Sequence, residues 1–282
     1  MKIIISAEST CDLSKDLLTA NDIRLIPFHI TVKDGSFLDG QISTEELFEL
    51  TDKTGVLPKT NAINQYEYSE YFAELKKDAD AIIHISLSSG LSSSFNNALN
   101  ASKEFENVFV IDSSNLSTGI GLLVLYACDL VKQGKTPQEI VDALTARIDK
   151  VQASFVIHRL DYLYKGGRCN ALSYFGANLF KIRPRIVVKD GKMGSDKKYK
   201  GSMNKVVAKY AQGVLEEFNT PDLERVFITY TTASSEMIEE ARLALQSAGF
   251  KNVYETRAGC TIASHCGANT LGILYFNDGV NE

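Results

Sequence analysis

The stretch that decides the fold is AIIHISLSSGLSSSFNNALNA, residues 81–101. Its first part, Ala81–Ser86, is an apolar run typical of a buried strand, and the residues after Ser92 are typical of a helix. Small hydroxyl side chains and Gly90 stand between them, where the chain must turn. A helix start offers unpaired backbone N–H groups and a positive dipole end. We therefore expect Ser92 at the N-cap, and the loop either stabilises a tight turn or holds an anion.

Strands and helices alternate on both sides of this stretch. Lys2–Ser6, Leu25–Val32 and Val108–Ile111 predict strands, and the turn dipeptide Asp34-Gly35 ends the second of them. Capping boxes, apolar residues at helical spacing and a proline at a first helical position predict the helix starts. These starts lie at or near Ser43, Asn64, Thr118 and Thr136. This order of elements predicts a mainly parallel sheet covered by helices on both faces.

The pattern changes after residue 151. Phe155–Leu160 predicts a strand, and Arg185–Met193, which contains the turn dipeptide Asp190-Gly191, predicts a hairpin. Further strands are predicted at 225–231, 253–257 and 271–276, and helices at 204–218 and 234–248. We interpret the chain as an α/β protein of two closely packed domains. Residues 1–151 form a domain with a parallel sheet, and residues 152–282 form a domain with a mixed sheet.

Composition excludes several classes of protein. The chain has 282 residues, of which 44% are hydrophobic and 23% charged, enough for a sizeable core. Its net charge of −5 argues against a dedicated nucleic-acid binder. Five scattered cysteines without a C-x-x-C pair favour neither a disulfide framework nor a metal site. The N-terminal apolar run is too short for a signal peptide or a membrane span, so we expect a cytoplasmic protein.

Polar side chains follow three predicted strands, in Ser6–Thr10, in the serine-rich stretch and in Asp112–Ser114. Parallel sheets bind ligands beyond the carboxyl ends of their strands, so these loops predict the mouth of a pocket. Glu8 and Asp112 alone are typical turn formers. His265, beside Cys266, is interpreted as a turn residue that is also able to donate a hydrogen bond to a carboxylate.

No motif for a known catalytic or cofactor site is complete. A G-x-S-x-G nucleophile elbow and a G-x-x-x-x-G-K-[ST] phosphate loop are absent from the sequence. Gly119-x-Gly121 lacks the third glycine of the dinucleotide fingerprint and is better explained by close helix packing. A hydrolase nucleophile is therefore poorly supported, and we expect no nucleotide, metal or other cofactor.

Basic residues concentrate in two places in this acidic protein. Lys165-Gly166-Gly167-Arg168 predicts a flexible basic turn, and ten lysines or arginines stand against two acids from Lys181 to Lys209. Such a stretch is either a solvated face or a docking surface for an acidic partner.

Together these segments resemble the DegV family of bacterial fatty-acid-binding proteins. The matching segments cover nearly the whole chain and occur in the family's order. They are Ser6–Leu13, Lys59-Thr60-Asn61, Ser88–Ala98, Ile111-Asp112-Ser113, Leu160–Arg168, Ile182–Gly191 and His265–Gly267. The sequence departs from the family pattern at Glu8, Asn61, Ser93-Ser94 and Ala268-Asn269.

The resemblance implies a protein that carries one long-chain fatty acid in a tunnel between its two domains. It also implies no catalytic residues, because in many members a partner fatty acid kinase phosphorylates the carboxylate for phospholipid synthesis and the carrier itself performs no chemistry. The residues implied in binding the carboxylate are Thr60, Ser92, Ser93 through its backbone, and His265. Those implied in docking the kinase are Arg168, Lys197 and Lys198.

Two other functions remain open from the sequence. One is an acyl hydrolase that uses Ser92 or His265, although no base–nucleophile pair is visible. The other is a lipid-responsive regulatory module that acts through the basic stretch.

Overall fold

The computed structural model describes residues 1–33, 35–169 and 182–279. Within these ranges the chain forms a mixed α/β structure with three sheets. The strands are β1 (Ile3–Glu8), β2 (Arg24–Ile26), β3 (His29–Val32), β4 (Gly35–Leu38), β5 (Lys59–Asn61), β6 (Ala81–Ser86), β7 (Val108–Asp112), β8 (Val151–Val156), β9 (Arg183–Lys189), β10 (Lys192–Tyr199), β11 (Arg225–Tyr230), β12 (Asn252–Arg257) and β13 (Leu271–Phe276). The α-helices are α1 (Lys15–Ala20), α2 (Thr44–Thr54), α3 (Gln65–Lys76), α4 (Ser94–Ser102), α5 (Thr118–Lys132), α6 (Pro137–Arg147), α7 (Asp161–Gly166), α8 (Met203–Glu217), α9 (Ser235–Ser247) and α10 (Cys260–Cys266).

The first sheet is the predicted parallel one, with strand order β2-β1-β6-β7. Every residue of β6 is buried, as expected for a strand covered on both faces. Ile4 pairs with Ile82, and Ile83 pairs with Phe109. Since all four strands run the same way, Glu8, Ser86 and Asp112 end at one edge of this sheet.

The second sheet has six strands in the order β10-β9-β8-β13-β11-β12. Only β11 and β12 run parallel, and the other neighbours are antiparallel. The predicted mixed sheet is therefore confirmed. The predicted hairpin is β9–β10, and both of its turn residues, Asp190 and Gly191, have positive φ angles, as the favoured two-residue hairpin turn requires.

A third sheet, β4-β3-β5, was not predicted. The single strand expected over Leu25–Val32 is wrong, because the chain breaks at Pro27 and its second half pairs elsewhere. Proline fixes φ and lacks the N–H that a strand ladder needs. The next residue, Phe28, donates its N–H to Ser9 Oγ at 3.1 Å instead. Asp34 of the predicted turn lies outside the described residues, as do Lys181 of the basic stretch and residues 280–282.

Local capping signals placed the long helices well. Ser43, Asn64 and Thr136 are N-caps with complete capping boxes, in which the side chain accepts from the third helical N–H and a glutamate bonds back. Gly134, predicted to stop the helix that begins near Thr118, has a φ of 75° just beyond it. Satisfying these end groups locally fixes the helix starts independently of distant packing.

Two segments near the predicted site differ from expectation. The strand predicted over Phe155–Leu160 is wrong: β8 ends at Val156, and Leu160 is the N-cap of α7. The predicted basic turn contains the end of that helix, and Gly167 is its C-cap with a φ of 68°. His265, expected in a turn, lies in the last turn of α10.

The largest buried apolar cluster contains side chains from both sides of residue 151. Ile83 and Leu123 belong to it from the first part of the chain, and Phe155 and Phe227 from the second. Shared burial of this kind fixes the relative position of the sheets. The division of the chain into domains at residue 151 stays a prediction.

The tip of the β9–β10 hairpin rests on the serine loop, which we define as residues 87–93 between β6 and α4. Ser88 Oγ donates a hydrogen bond of 2.7 Å to the carbonyl oxygen of Gly191. A Cβ added at Gly90 would lie 2.5 Å from that same oxygen. Two glycines are therefore needed where two backbones from distant parts of the chain approach closely.

We expect Gly90→Ala to lower the free energy of unfolding by about 1–3 kcal/mol, because the new methyl group must push the hairpin tip away. Gly194→Ala, in β10, is the matched control, since nothing lies within 4 Å of its added Cβ. Urea denaturation of both variants measures the difference. Equal stability of the two variants would contradict the close approach.

Candidate functional site

A space of about 520 Å³, which includes the solvent at its opening and is here called the central cavity, lies where the serine loop, β5, β10 and α10 meet. Most of its wall is apolar, and its polar groups come from threonine, serine, histidine and arginine side chains. It is lined by Phe28, Thr60, Ala62, Leu87, Leu91, Ser92, Leu116, Arg168, Met193, Thr261, Ile262, His265 and Cys266. An apolar cavity with a few convergent polar groups is the usual form of a small-molecule site.

Three of the four predicted carboxylate-binding residues meet at this cavity. Thr60 is placed by the pairing of β5 with β3, where it lies opposite Ile30. Its Oγ1 lies 2.8 Å from Nε2 of His265, which α10 brings from the far end of the chain. Ser92 lines the same wall from the serine loop. Their binding of a carboxylate stays a prediction.

The helix start differs by one residue from the predicted one. Ser93, not Ser92, is the N-cap of α4, although Ser93 makes no side-chain cap bond. Ser92 Oγ accepts from the N–H of Ser94 at 3.1 Å and keeps its own proton to donate. The exposed side chain of Ser93 lies outside the set of described residues that line the cavity.

His265 is neutral at neutral pH. Burial, together with the positive charge of Arg168, lowers the pKa of His265 to about 4. Its Nδ1 is buried without a hydrogen-bond partner among the described residues, and a Cβ at Gly166 would lie 2.5 Å from that atom. In the tautomer with the proton on Nε2, the ring donates to Thr60 Oγ1. The threonine hydroxyl is then free to donate to an anion.

Arg168, predicted to dock a partner, lies at the cavity itself. Its Nη1 donates to the carbonyl of Gly166 at 2.7 Å, and its Nε donates to the carbonyl of Leu91 at 3.3 Å. The guanidinium is thus fixed beside the three predicted carboxylate ligands. A permanent positive charge at this position favours an anionic group in the cavity.

The central cavity adjoins two other spaces, with each of which it shares lining residues. An open hollow of about 1010 Å³, the outer depression, shares Thr60, Arg168 and His265 with it. A second space, the end cavity, measures about 330 Å³ with open solvent included, is lined mainly by buried residues, and shares Leu116, Ile262 and Cys266 with the central cavity. The three spaces therefore follow one another, with the polar residues at the mouth and apolar side chains at an inner neck.

The end cavity is suited to hydrocarbon although several hydroxyl residues line it. Thr231 Oγ1 donates to the carbonyl of Gly267 at 2.7 Å, and Thr270 Oγ1 donates to that of Cys266 at 3.0 Å. Ser117 Oγ donates to Asp12 at 2.5 Å. Because these hydroxyls are already engaged within the protein, they leave little for a polar ligand to bind.

Cys266, which separates the two inner spaces, is a neutral thiol. Burial and the charge of Asp12 raise its pKa to about 12. A thiol of this kind behaves as a small apolar side chain rather than as a nucleophile.

A buried carboxylate that the sequence did not point to supports the serine loop. Glu8 was interpreted as a turn former, which is wrong, because it is fully buried and Leu87 N–H donates to it at 2.7 Å. Ser86 Oγ donates to it at 2.5 Å and Tyr68 Oη at 2.7 Å. Burial raises the pKa of Glu8, but His84 and these donors outweigh it and hold the pKa below its ordinary value. The charged carboxylate thereby fixes the start of the loop.

The basic stretch does not form one solvated face. Arg185 is fully buried and pairs with Asp196 and Glu217. Lys197 and Lys198 are exposed on the edge strand β10, and Lys197 Nζ lies 2.7 Å from Glu217. Lysines are common on edge strands because they discourage pairing with another chain. Their role in docking stays a prediction.

No group of three or more metal-ligating side chains is found in residues 1–33, 35–169 and 182–279. A search of these same ranges finds no helix long and apolar enough to cross a membrane.

We expect His265→Gln to flatten the pH dependence of stability. The folded-state pKa of about 4 lies below the ordinary 6.5, so protons bind preferentially to the unfolded chain. This contribution to stability is complete above pH 6.5 and is lost as the pH falls toward 4. Near pH 5 the free energy of unfolding of the wild type is lower by about 2 kcal/mol than at neutral pH, and the variant does not show this decrease. Urea denaturation near pH 5 and pH 7.5 measures the free energy of unfolding of both proteins. An equal decrease in the wild type and the variant contradicts a neutral buried imidazole.

The comparisons with known proteins agree across the whole chain. The family model described as "Uncharacterised protein, DegV family" matches residues 2–278. A DegV domain-containing protein of Clostridium acetobutylicum is 30% identical over 277 residues, which cover 97% of this chain and 98% of that protein.

Two solved structures from Thermotoga maritima have the same fold. One, described as a DegV lipid binding protein, has a TM-score of 0.87 at 26% identity and covers 99% of this chain and 100% of its own. The other, described as revealing fatty acid binding function, has a TM-score of 0.83 at 26% identity and covers 98% and 99% of the two chains. The protein therefore belongs to the DegV family.

Proposed function

We propose that this protein binds one long-chain fatty acid, with its carboxylate at the mouth of the central cavity and its tail directed toward the end cavity. The observation that carries the proposal is that the central cavity lies between the outer depression and the end cavity and shares lining residues with each. A molecule that is anionic at one end and apolar along its length matches this order. The two Thermotoga maritima relatives, described by their lipid and fatty acid binding, support it.

The tail supplies most of the affinity in this proposal. Burying about 14 methylene groups at ~0.8 kcal/mol each gives roughly 11 kcal/mol before the costs of association. The hydroxyls of Thr60 and Ser92 and the charge of Arg168 keep the buried anion hydrogen-bonded and set its orientation.

We further propose that the carboxylate is presented to a partner fatty acid kinase. A carboxylate oxygen attacks the γ-phosphorus of ATP, ADP leaves, and the product is an acyl phosphate for phospholipid synthesis. The outer depression, which opens beside the carboxylate site, supports this. The outer depression is lined by the basic residues Lys59, Lys165 and Arg168, and its described lining residues include no carboxylate. A surface of this charge is complementary to an acidic partner surface. An ATP-dependent step of this kind belongs in the cytoplasm.

No observation favours the hydrolase alternative. His265 Nε2 lies against Thr60 Oγ1, while Ser92 Oγ accepts from a backbone N–H, so the described residues do not pair Ser92 with a base. The fatty acid carrier therefore remains the single function that we propose, and the protein acts without a cofactor in it.

Thr60→Val and Ser92→Ala are each expected to raise the Kd for hexadecanoic acid about tenfold, because each removes a hydrogen bond to a charged group. Calorimetric titration of delipidated protein measures this. Thr145→Val is the control, since Thr145 is exposed on α6 and bonds only to the carbonyl of Val141 among the described residues. Wild-type protein that takes up no fatty acid at micromolar concentration would overturn the proposal.

Lys197→Glu combined with Lys198→Glu is expected to leave the Kd for hexadecanoic acid unchanged and to raise the concentration of carrier that half-saturates the kinase. The expected rise is about tenfold at low salt and smaller at high salt, as for a surface charge contact. Lys251→Glu, which reverses one charge, is the control, because Lys251 is also exposed and paired with a glutamate, Glu224. The rate of acyl phosphate formation measures the effect, and an equal effect of the control excludes specific docking.

A further inference from the structure

Thr261 lines the central cavity, and its buried hydroxyl bonds to no other described residue. The side chain is 3% exposed, and its Oγ1 has no hydrogen-bond partner in the part of the chain that the structure describes. Other hydroxyls near the cavities are engaged: Thr60 lies against His265, and Thr231 and Thr270 donate to backbone carbonyls. Thr261 is therefore the exception among these threonines.

The position of Thr261 in α10 explains why its hydroxyl is left over. A threonine inside a helix commonly donates to the carbonyl four residues earlier, as Ser264 does to Cys260 at 2.6 Å. Thr261 is the second residue of its helix, so the residue four positions earlier, Arg257, is the last residue of β12. Its backbone N–H is held by Asp39 Oδ2 at 3.3 Å, which fixes the residue in place. Leaving a buried hydroxyl without a partner is costly unless a ligand supplies one.

Of the three spaces, the central cavity is the one that has Thr261 among its described lining residues. Thr261 stands four residues before His265, so the two share one face of α10 about 6 Å apart along the helix axis. His265 also lines the outer depression, whereas Thr261 is not among the described residues that line it. Ile262 and Cys266, at the inner neck, lie on the same helix. Thr261 therefore lines the central cavity one helical turn before His265.

Resting on the proposed fatty acid site, we propose that Thr261 forms a hydrogen bond with a hydroxyl group carried on the acyl chain close to its carboxyl end. The cavity would then accept hydroxylated fatty acids of the 3-hydroxy type. A threonine hydroxyl both donates and accepts, so it pairs with a neutral alcohol without adding charge to the apolar wall. With the carboxylate at Thr60 and Ser92, a hydroxyl on the third carbon lies a few ångströms further in, in the direction of Thr261.

The test compares hexadecanoic acid with 3-hydroxyhexadecanoic acid by calorimetric titration. The wild type should bind the hydroxy acid at least as tightly as the plain acid. Thr261→Val should weaken binding of the hydroxy acid about five- to tenfold and leave binding of the plain acid unchanged. The ratio of hydroxy-acid affinity to plain-acid affinity then falls by the same factor. Thr261→Ser, which keeps the hydroxyl, should restore the ratio. Valine is nearly the same size as threonine, and thermal unfolding verifies that the variant is folded.

Thr10 provides the matched control. Its Oγ1 is likewise buried and without a partner among the described residues, but Thr10 is not among those that line the cavity. Thr10→Val should leave the ratio unchanged. If Thr261→Val weakens both acids equally, Thr261 contacts the carboxylate and the inference is wrong. An unchanged ratio in Thr261→Val also overturns it. A wild type that binds neither acid overturns the proposed function itself.

Discussion

The site depends on how the start of helix α10 is held. Asp39 Oδ1 accepts from the N–H of Cys260 at 2.8 Å, and Asp12 Oδ1 accepts from that of Gly259 at 2.8 Å. A Cβ at Gly259 would lie 3.0 Å from Asp39, so glycine permits this approach. Side-chain oxygens at a helix N-terminus satisfy its unpaired N–H groups. Residues near the N-terminus thereby position a helix from the C-terminal part of the chain, and that helix supplies four of the cavity's side chains.

The serine loop shows how many separate contacts are needed to fix one ligand-facing hydroxyl. Ser86 is bonded to Glu8, Ser88 to the hairpin tip, and Ser94 Oγ lies 2.7 Å from Tyr68 Oη. Of the serines from residue 86 to 94, Ser92 alone is among the described residues that line the central cavity. Most of the hydroxyls that bond at this turn therefore stabilise the protein itself, and that of Ser92 is placed to bind a ligand. Because neighbouring contacts hold the Ser92 side chain in place, less conformational entropy is lost when it binds a ligand.

Sequence reasoning succeeded where the signal is local. The strands Ala81–Ser86 and Leu271–Phe276 and the three capping boxes follow from residues that are neighbours in the chain. The family resemblance brought together Thr60, Ser92 and His265, which lie far apart in the chain, and the structure places them on one cavity wall.

Other features had no local signal. The third sheet consists of three- and four-residue strands that pairing alone defines. The seven-residue helix α10 has few strong helix formers, and carboxylates distant in sequence cap it, so tertiary contacts decide it. The neck at Leu116, Ile262 and Cys266 and the unpartnered hydroxyl of Thr261 appear only once the packing is known.

A crystal structure of the protein with hexadecanoic acid bound tests the central claim most directly. The account predicts the carboxylate within hydrogen-bonding distance of Thr60 Oγ1 and Ser92 Oγ, and the tail passing the neck into the end cavity. A ligand bound elsewhere, or one whose carboxylate lies in the end cavity with its tail toward the outer depression, would contradict it.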